Sequence, residues 1–267
     1  MFSLIKKKFI SKVIQKNIRR ILRLFGLRQK QKSLQTKGKI RVYGKDFHYH
    51  YQLAFQVTYN EIIEKGIYTF NTHKDNPVII DCGANMGVSL LFFSTKYPNA
   101  KIYAFEPDES VIGSLEKNIE TYQMHNVELF KKAVWDSNGY LKFYTDEGLG
   151  GRLDNDYNNQ NPMIVETIRL KDFIGQRHID FLKMDIEGAE YRVIKDCEPV
   201  LNQIDNIFIE YHSIVNEEQK LDNILYILKK NGFRYHLSQS FSRDKPFIEN
   251  ILCNEKIDLA INIYGYR

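Results

Sequence analysis

Three stretches of the chain carry side chains whose types and spacing could do chemistry. In the first, VIIDCGANMG at 78–87, an apolar run ends in a carboxylate, Asp81, and is followed by Gly83, Ala84 and Gly87. Small residues there let the backbone turn sharply and lie against a ligand. From Asn85 the apolar spacing becomes helical, through Met86, Leu90, Leu91 and Phe93, so the unit reads strand, tight turn, helix. Such a unit points the free N–H groups of a helix start at a ligand bound beyond the carboxyl end of a parallel strand. The second stretch, KIYAFEP at 101–107, is a strand with Glu106 and Pro107 just past its end, 25 residues after Asp81. An acidic residue there is where a doubly wound fold holds a ribose by its hydroxyls. The third stretch is split: Asp185, Glu187 and Glu190 follow the run IDFLKM, and Glu210 and His212 follow NIFI. Carboxylates and an imidazole at strand ends could bind an acceptor or move a proton.

The glycine spacing narrows the ligand. A pyrophosphate favours three glycines, G-x-G-x-x-G, whereas here the run is Gly83-Ala-Asn-Met-Gly87 with Asp81 before it. A carboxylate repels a pyrophosphate but suits an ammonium group, which favours S-adenosylmethionine with its ribose on Glu106. The adenine ring would rest at the edge from Ala133 and Val134 to Asp136, beside Trp135, the only tryptophan. A nucleotide-dependent oxidoreductase is the alternative that this spacing disfavours. Helix capping by Glu187 and Glu190 at a positive helix end is the plain structural reading of the third stretch.

These side chains need a doubly wound, mostly parallel α/β sheet with an antiparallel C-terminal strand. The expected elements begin with a hairpin turning at Gly44-Lys45 and a helix capped by Asn60 and stopped at Gly66, with Tyr68 placed to cover the sulfonium. Strands follow at 126–134, 139–145, 164–170, 179–184, 206–209, 233–237 and 257–264, with helices at 108–122 and 217–231. The Gly/Asn/Asp-rich loop 146–162 reads as a lid over the acceptor carrying Arg152.

Charge divides the chain. Residues 1–45 hold ten Lys, five Arg and no acidic residue, leaving 23 basic against 33 acidic residues beyond them. Phe2, Ile5, Phe9, Val13, Ile14, Ile18, Ile21, Leu22 and Phe25 share one helical face. That arm is expected to lie on an anionic membrane surface through residues 2–25 or to pack on a partner, including a second copy of the chain. It is too interrupted by charge for a span or a signal peptide, and specific nucleic-acid binding is not expected. The organisation expected is 1–38 arm and linker, 39–75 cap segment, 76–267 cofactor domain. Cys82, Cys197 and Cys253 are scattered and lack C-x-x-C spacing, which fits a reducing, cytoplasmic setting with no disulfide framework. Cys82 reads as a small buried residue.

The motifs VIIDCGANMGVSLLFF, YAFEPDESVIGSLEKNI, KKAVWDSNG, TIRLKDF, FLKMDIEGAEYRVIKD and IFIEYHS, in this order, resemble the FkbM-type methyltransferases over about residues 59–231. The resemblance implies a class I, Rossmann-like fold and transfer of a methyl group from S-adenosylmethionine to a hydroxyl, in sugars of surface glycans or in natural-product scaffolds. It assigns Asp81, Gly83, Ala84, Asn85 and Gly87 to the methionine part, Glu106 to the ribose, Ala133 and Val134 to the adenine edge, and Asp185 to the methyl-transfer centre.

Methyl transfer is an in-line displacement, so holding the hydroxyl collinear with the methyl group is most of the catalysis. A sugar hydroxyl is a weak nucleophile, and the base candidates are His212, then Asp185, then Glu187. No metal is assigned, although Asp185, Glu187, Glu210 and His212 could instead hold a divalent cation. A non-catalytic module of a glycan-assembly complex is the remaining alternative.

Overall fold

The structure, a computed structural model, describes residues 37–145, 151–153, 162–242, 247–248 and 257–267, with the side chains of 145 and 151–153 excepted. The basic arm, most of the 146–162 loop and Cys253 lie outside the described residues.

A hairpin opens the described chain, β1 (Gly38–Val42) paired antiparallel with β2 (Lys45–Tyr49). Tyr43 and Gly44 turn it with φ of 47° and 79°, as the Gly44 signal predicts. Helix α1 (Gln52–Tyr59) follows and runs straight into a π-helical turn, Asn60–Glu64. Asn60 is therefore inside the helical run and not its cap; Phe55 and Ile62 anchor the two halves in one core and override the capping signal. Gly66, at φ 64°, ends the run as expected.

The central sheet is built from β3 (Val78–Cys82), β4 (Lys101–Phe105), β5 (Val127–Phe130), then β10 (Ile179–Met184), β11 (Ile204–Ile214), β12 (Arg234–Phe241) and β13 (Ile257–Tyr266). Its spatial order is β12-β13-β11-β10-β3-β4-β5. Strands β11, β10, β3, β4 and β5 run parallel, and β13 is antiparallel to both its neighbours. Between them lie α2 (Val88–Lys96), α3 (Glu109–Thr121), α5 (Glu190–Cys197) and α6 (Leu221–Lys230). A second sheet of β6 (Ala133–Trp135), β9 (Met163–Arg169), β7 (Gly139–Thr145) and β8 (Gly151–Leu153) sits between β5 and β10 in sequence, with α4 (Leu170–Ile174) closing it.

Alternation along the parallel strands sorts the core into two layers. Ile80, Cys82, Tyr103, Phe105, Leu182, Met184, Ile207 and Ile209 face α5 and α6. Ile79, Ile102, Ala104, Phe181 and Phe208 face α2 and α3, a layer that Phe47 of β2 and Phe55 of α1 complete. Burial on both faces explains the unbroken apolar runs of β3, β4 and β10.

Four expected elements differ. The run 126–134 is two strands in two sheets, because β5 pairs with β4 while β6 pairs with β9. Strand β11 continues five residues past Ile209, paired with β13 throughout, so Glu210 and His212 belong to the strand and do not follow it. Helices α2 and α6 start later than the apolar spacing suggests, at Val88 and Leu221. Among the described residues no helix is long and apolar enough to cross a membrane.

Candidate functional site

The carboxyl ends of β3, β4 and β10 and the start of β6 surround a partly open cleft. Its wall includes Gly83, Asn85, Glu106, Pro107, Ala133, Val134, Asp185 and Glu187. Eight of the residues singled out by sequence thus meet at one place. Phe105, Asp108, Lys132, Phe143 and Ile186 complete the wall, and nothing in the local sequence pattern marks them as ligand groups.

Gly83 is where the fold is least forgiving. Its φ is 85°, and a Cβ there would sit 2.0 Å from the Asp185 carbonyl oxygen. The turn after β3 and the end of β10 therefore touch backbone to backbone, tied by the Asp185 N–H donating to the Cys82 carbonyl at 3.1 Å. Asn85, also at positive φ (48°), donates its N–H to Glu106 Oε2 at 2.7 Å, and Asp108 donates its N–H to Oε1 at 2.9 Å. Glu106 is thereby fixed with its carboxylate at the cleft wall. Burial pushes its carboxyl up to about 7, against the two backbone donors that lower it.

Asp81, Ala84 and Gly87 support the turn from behind. Asp81, expected at the methionine ammonium, is fully buried and absent from the cleft wall. Ser89 Oγ donates to its Oδ2 at 2.5 Å, and Lys183 Nζ lies 3.2 Å from its Oδ1. Lys183 and Asp81 are register partners on adjacent strands, and the same parity turns both toward the α2 side. Nζ also donates to the Gly83 and Cys82 carbonyls and lies 3.6 Å from Asp185 Oδ2. Burial alone would lower the Lys183 ammonium; the Asp81 and Asp185 carboxylates outweigh it and hold it raised. One buried cation thus joins the glycine turn to Asp185. A lysine inside the otherwise apolar FLKM was the signal for it.

The other half of the site is a ring of acids around His212. Its Nδ1 lies 3.0 Å from Glu190 Oε1, and its Nε2 is 3.7 Å from Glu187 and 3.9 Å from Glu210. Glu190 is 1% exposed and accepts from the Gly188 and Ile186 N–H groups, so it both caps the α5 entry and holds the imidazole. Glu210 accepts from Ser240 Oγ at 2.6 Å, and burial followed by the Asp185 charge raises it to about 7. For His212, burial would lower the ring, but Glu187 and Glu190 hold it well above its ordinary value. The cleft wall carries the other two base candidates, Asp185 and Glu187, and not His212.

Tyr68 packs as core, 4.7 Å from Phe208 and 5.7 Å from Phe93 between ring centres, and is not part of the cleft wall. Trp135 is capped by the Arg192 guanidinium at 4.8 Å and is likewise off the wall. Cys82 and Cys197 are buried free thiols.

The Methyltransferase FkbM domain family matches residues 81–235. The 2-O-methyltransferase NoeI of Sinorhizobium fredii is 30% identical over 158 residues, covering 52% of this chain and 64% of that protein. The hexuronic acid methyltransferase AglP of Haloferax volcanii is 23% identical over 178 residues, 66% of this chain and 70% of that one. Among solved structures, a methyltransferase FkbM from Methylobacillus flagellatus matches 78% of this chain with a TM-score of 0.50 at 17% identity. This chain covers 48% of that one, and the likeness is one of fold. The strand order with its antiparallel β13, the cleft at the carboxyl ends and the match over more than half of its length place the chain in the FkbM-domain family of class I, S-adenosylmethionine-dependent methyltransferases.

Proposed function

We propose that the chain transfers a methyl group to a hydroxyl oxygen of a sugar, in a surface glycan or its precursor. The observation that carries this reading is the convergence of Glu106, Asp185 and Glu187 on one cleft, with a ribose-type acceptor at one end and two carboxylates at the other. Relatives whose names describe 2-O-methylation and a hexuronic acid substrate support the choice of acceptor.

S-adenosylmethionine supplies an electrophilic methyl carbon on a sulfonium. The chain's part is placement and charge. Glu106 receives the ribose hydroxyls, Ala133, Val134 and Phe143 give the adenine an apolar edge, and the Gly83–Asn85 turn lies along the methionine part. Asp185, steadied through Lys183, brings negative charge to the sulfonium end. As the C–S bond breaks and the O–C bond forms, the hydroxyl proton passes to a carboxylate, Asp185 or Glu187, and S-adenosylhomocysteine leaves. His212, held by Glu190 at its Nδ1, orients Glu187. Proximity and alignment supply most of the acceleration, and the carboxylate adds about 10²–10⁴-fold.

The test is incubation with methyl-labelled S-adenosylmethionine and a panel of nucleotide sugars and glycans. Alkali-stable label on a sugar oxygen is the expected product. Turnover that labels only nitrogen or carbon acceptors would overturn the reading.

A further inference from the structure

Strand β13 carries a polar side chain that the fold leaves unmet. Asn262 is 6% exposed, and its Oδ1 is fully buried with no hydrogen-bond partner among the described residues. A buried acceptor left in that state costs about 1–3 kcal/mol. A leucine of similar size would avoid the cost, so the amide calls for a partner that the described chain does not supply.

Its place in the sheet says what that partner is. Asn262 is the register partner of Glu210 on β11 and of Ser238 on β12, and residues directly opposite in antiparallel pairs share a face. Two residues before Glu210 the same face carries Phe208, with Tyr264 at 5.2 Å and Tyr68 at 4.7 Å between ring centres. Two residues after Glu210 it carries His212. The polar row thus lies on an aromatic floor, one step from the methyl-transfer edge. Ser240 Oγ and His212 Nε2 both meet Glu210 at Oε1, at 2.6 and 3.9 Å, which leaves Oε2 to a ligand. The Glu210 side chain is 21% exposed, so the row opens at this residue. Asp185, on the cleft wall, and Glu61, in the π-helical turn, are the carboxylates whose charges reach Glu210. The row therefore runs between the cofactor cleft and the cap segment.

We propose that Asn262 and Glu210 form a subsite for a second hydroxyl of the acceptor, beside the one that receives the methyl group. The inference rests on the O-methylation reading and narrows its substrate class to polyols, with simple alcohols and phenols excluded. The amide offers a donor and an acceptor to one hydroxyl, and the carboxylate accepts the hydroxyl proton. Neither residue belongs to the cofactor cleft wall, so both are assigned to acceptor specificity and not to cofactor binding. A site built to hydrogen-bond a hydroxyl rejects the analogue that lacks it far more strongly than an apolar pocket does.

The plain competitor is a buried water, which satisfies such groups in many folds. The two occupants differ in what Asn262→Leu does. With a water alone, the variant loses nothing but the water, and acceptor binding is unmoved. With a hydroxyl subsite, the variant stays folded and binds the acceptor more weakly.

The experiment follows the side-chain amide resonance of Asn262 in the full, nitrogen-15-labelled chain saturated with S-adenosylhomocysteine, the resonance being assigned by its loss in Asn262→Leu. The probes are the methyl glycosides of glucose, mannose and galactose at tens of millimolar, with cyclohexanol as a ring bearing one hydroxyl. A saturable shift with at least one glycoside and none with cyclohexanol is expected. Affinity for that glycoside, read at the backbone amides of β11, should fall tenfold or more in Asn262→Leu and in Asn262→Ser, with S-adenosylhomocysteine affinity unchanged as the report of folding. No glycoside shift in a chain that binds S-adenosylhomocysteine, an equal response to cyclohexanol, or equal glycoside affinity in wild type and variants overturns the proposal. Sugar O-methylation whose KM is unmoved in both variants overturns the subsite and leaves the O-methylation reading intact. A glycoside held at Asn262 without methyl transfer to any hydroxyl supports the subsite and removes the reading.

Discussion

Replacing Lys183 with Met tests the pair that ties the glycine turn to the methyl-transfer edge. Lys183 and Asp81 are 3% and 0% exposed at their side chains and lie 3.2 Å apart. Met keeps the apolar stem and removes the charge. Asp81 is then left buried with only the Ser89 hydroxyl, and the Gly83 and Cys82 carbonyls lose a donor. Breaking a buried pair by deleting one partner costs about 3–5 kcal/mol, a large part of a domain stability of about 5–15 kcal/mol. For a domain of this size each kcal/mol shifts the melting temperature by about 2–4 °C, so a drop of roughly 6–20 °C is expected. Adding Asp81→Asn should recover much of it, since removing both charges is far cheaper than removing one, and the amide oxygen of that variant can still accept from Ser89. A residual deficit of about 2 kcal/mol remains for the two carbonyls at about 1 kcal/mol each. Urea unfolding followed through Trp135, the only tryptophan, in the two single variants and the double gives the coupling energy directly. A Lys183→Met cost under about 1 kcal/mol, or single-variant effects that add to within about 0.5 kcal/mol, would refute the reasoning.

Other expectations concern the cleft itself. Gly83→Ala should abolish measurable S-adenosylmethionine binding, because the added Cβ meets the Asp185 carbonyl at 2.0 Å in a backbone at φ 85°; calorimetry that finds wild-type affinity would contradict it. Glu106 has a folded pKa of about 7, above its ordinary 4.5. The folded ligand-free chain therefore holds the extra proton between those values, and its stability should fall as pH rises from 4.5 to 7, by on the order of 3 kcal/mol at 1.36 kcal/mol per unit. Because ribose hydroxyls donate to the ionised carboxylate, cofactor affinity should instead strengthen as pH rises through 7, and a flat affinity from pH 5.5 to 8.5 would count against that role. His212→Ala should lower methyl transfer by about 10²-fold, because Glu187 loses the imidazole that positions it, while cofactor affinity stays nearly unchanged; full turnover in that variant removes this positioning role.

Much of this was legible in the chain. The strand–turn–helix at 78–96, the strands ending at Glu106 and Asp185 and the antiparallel last strand follow from runs and punctuation that are local. What escaped depends on contacts between distant segments. Asp81 looks like a ligand group when read along its own strand; only the pairing of β3 with β10 sets it beside Lys183 and seals it away. His212 looks poised for neutral pH until α5 brings Glu190 to its ring and the β10 end brings Glu187. The break between β5 and β6 was hidden because the local pattern of NVELFKKAV reads as one strand, and only the sheet pairing divides it. Asn60 looks like a cap because the helix before it, QLAFQVTY, has a polar face too weak in pattern to announce itself.

The account stands on the cleft between the ends of β3, β4 and β10 being the cofactor site. Calorimetric titration of the wild-type chain and of Glu106→Ala with S-adenosylhomocysteine tests this most directly. The account predicts one-to-one binding to the wild type and binding weakened at least tenfold in Glu106→Ala, with both proteins equally folded by circular dichroism. Equal affinity in the two, or no binding to the wild type, would contradict it.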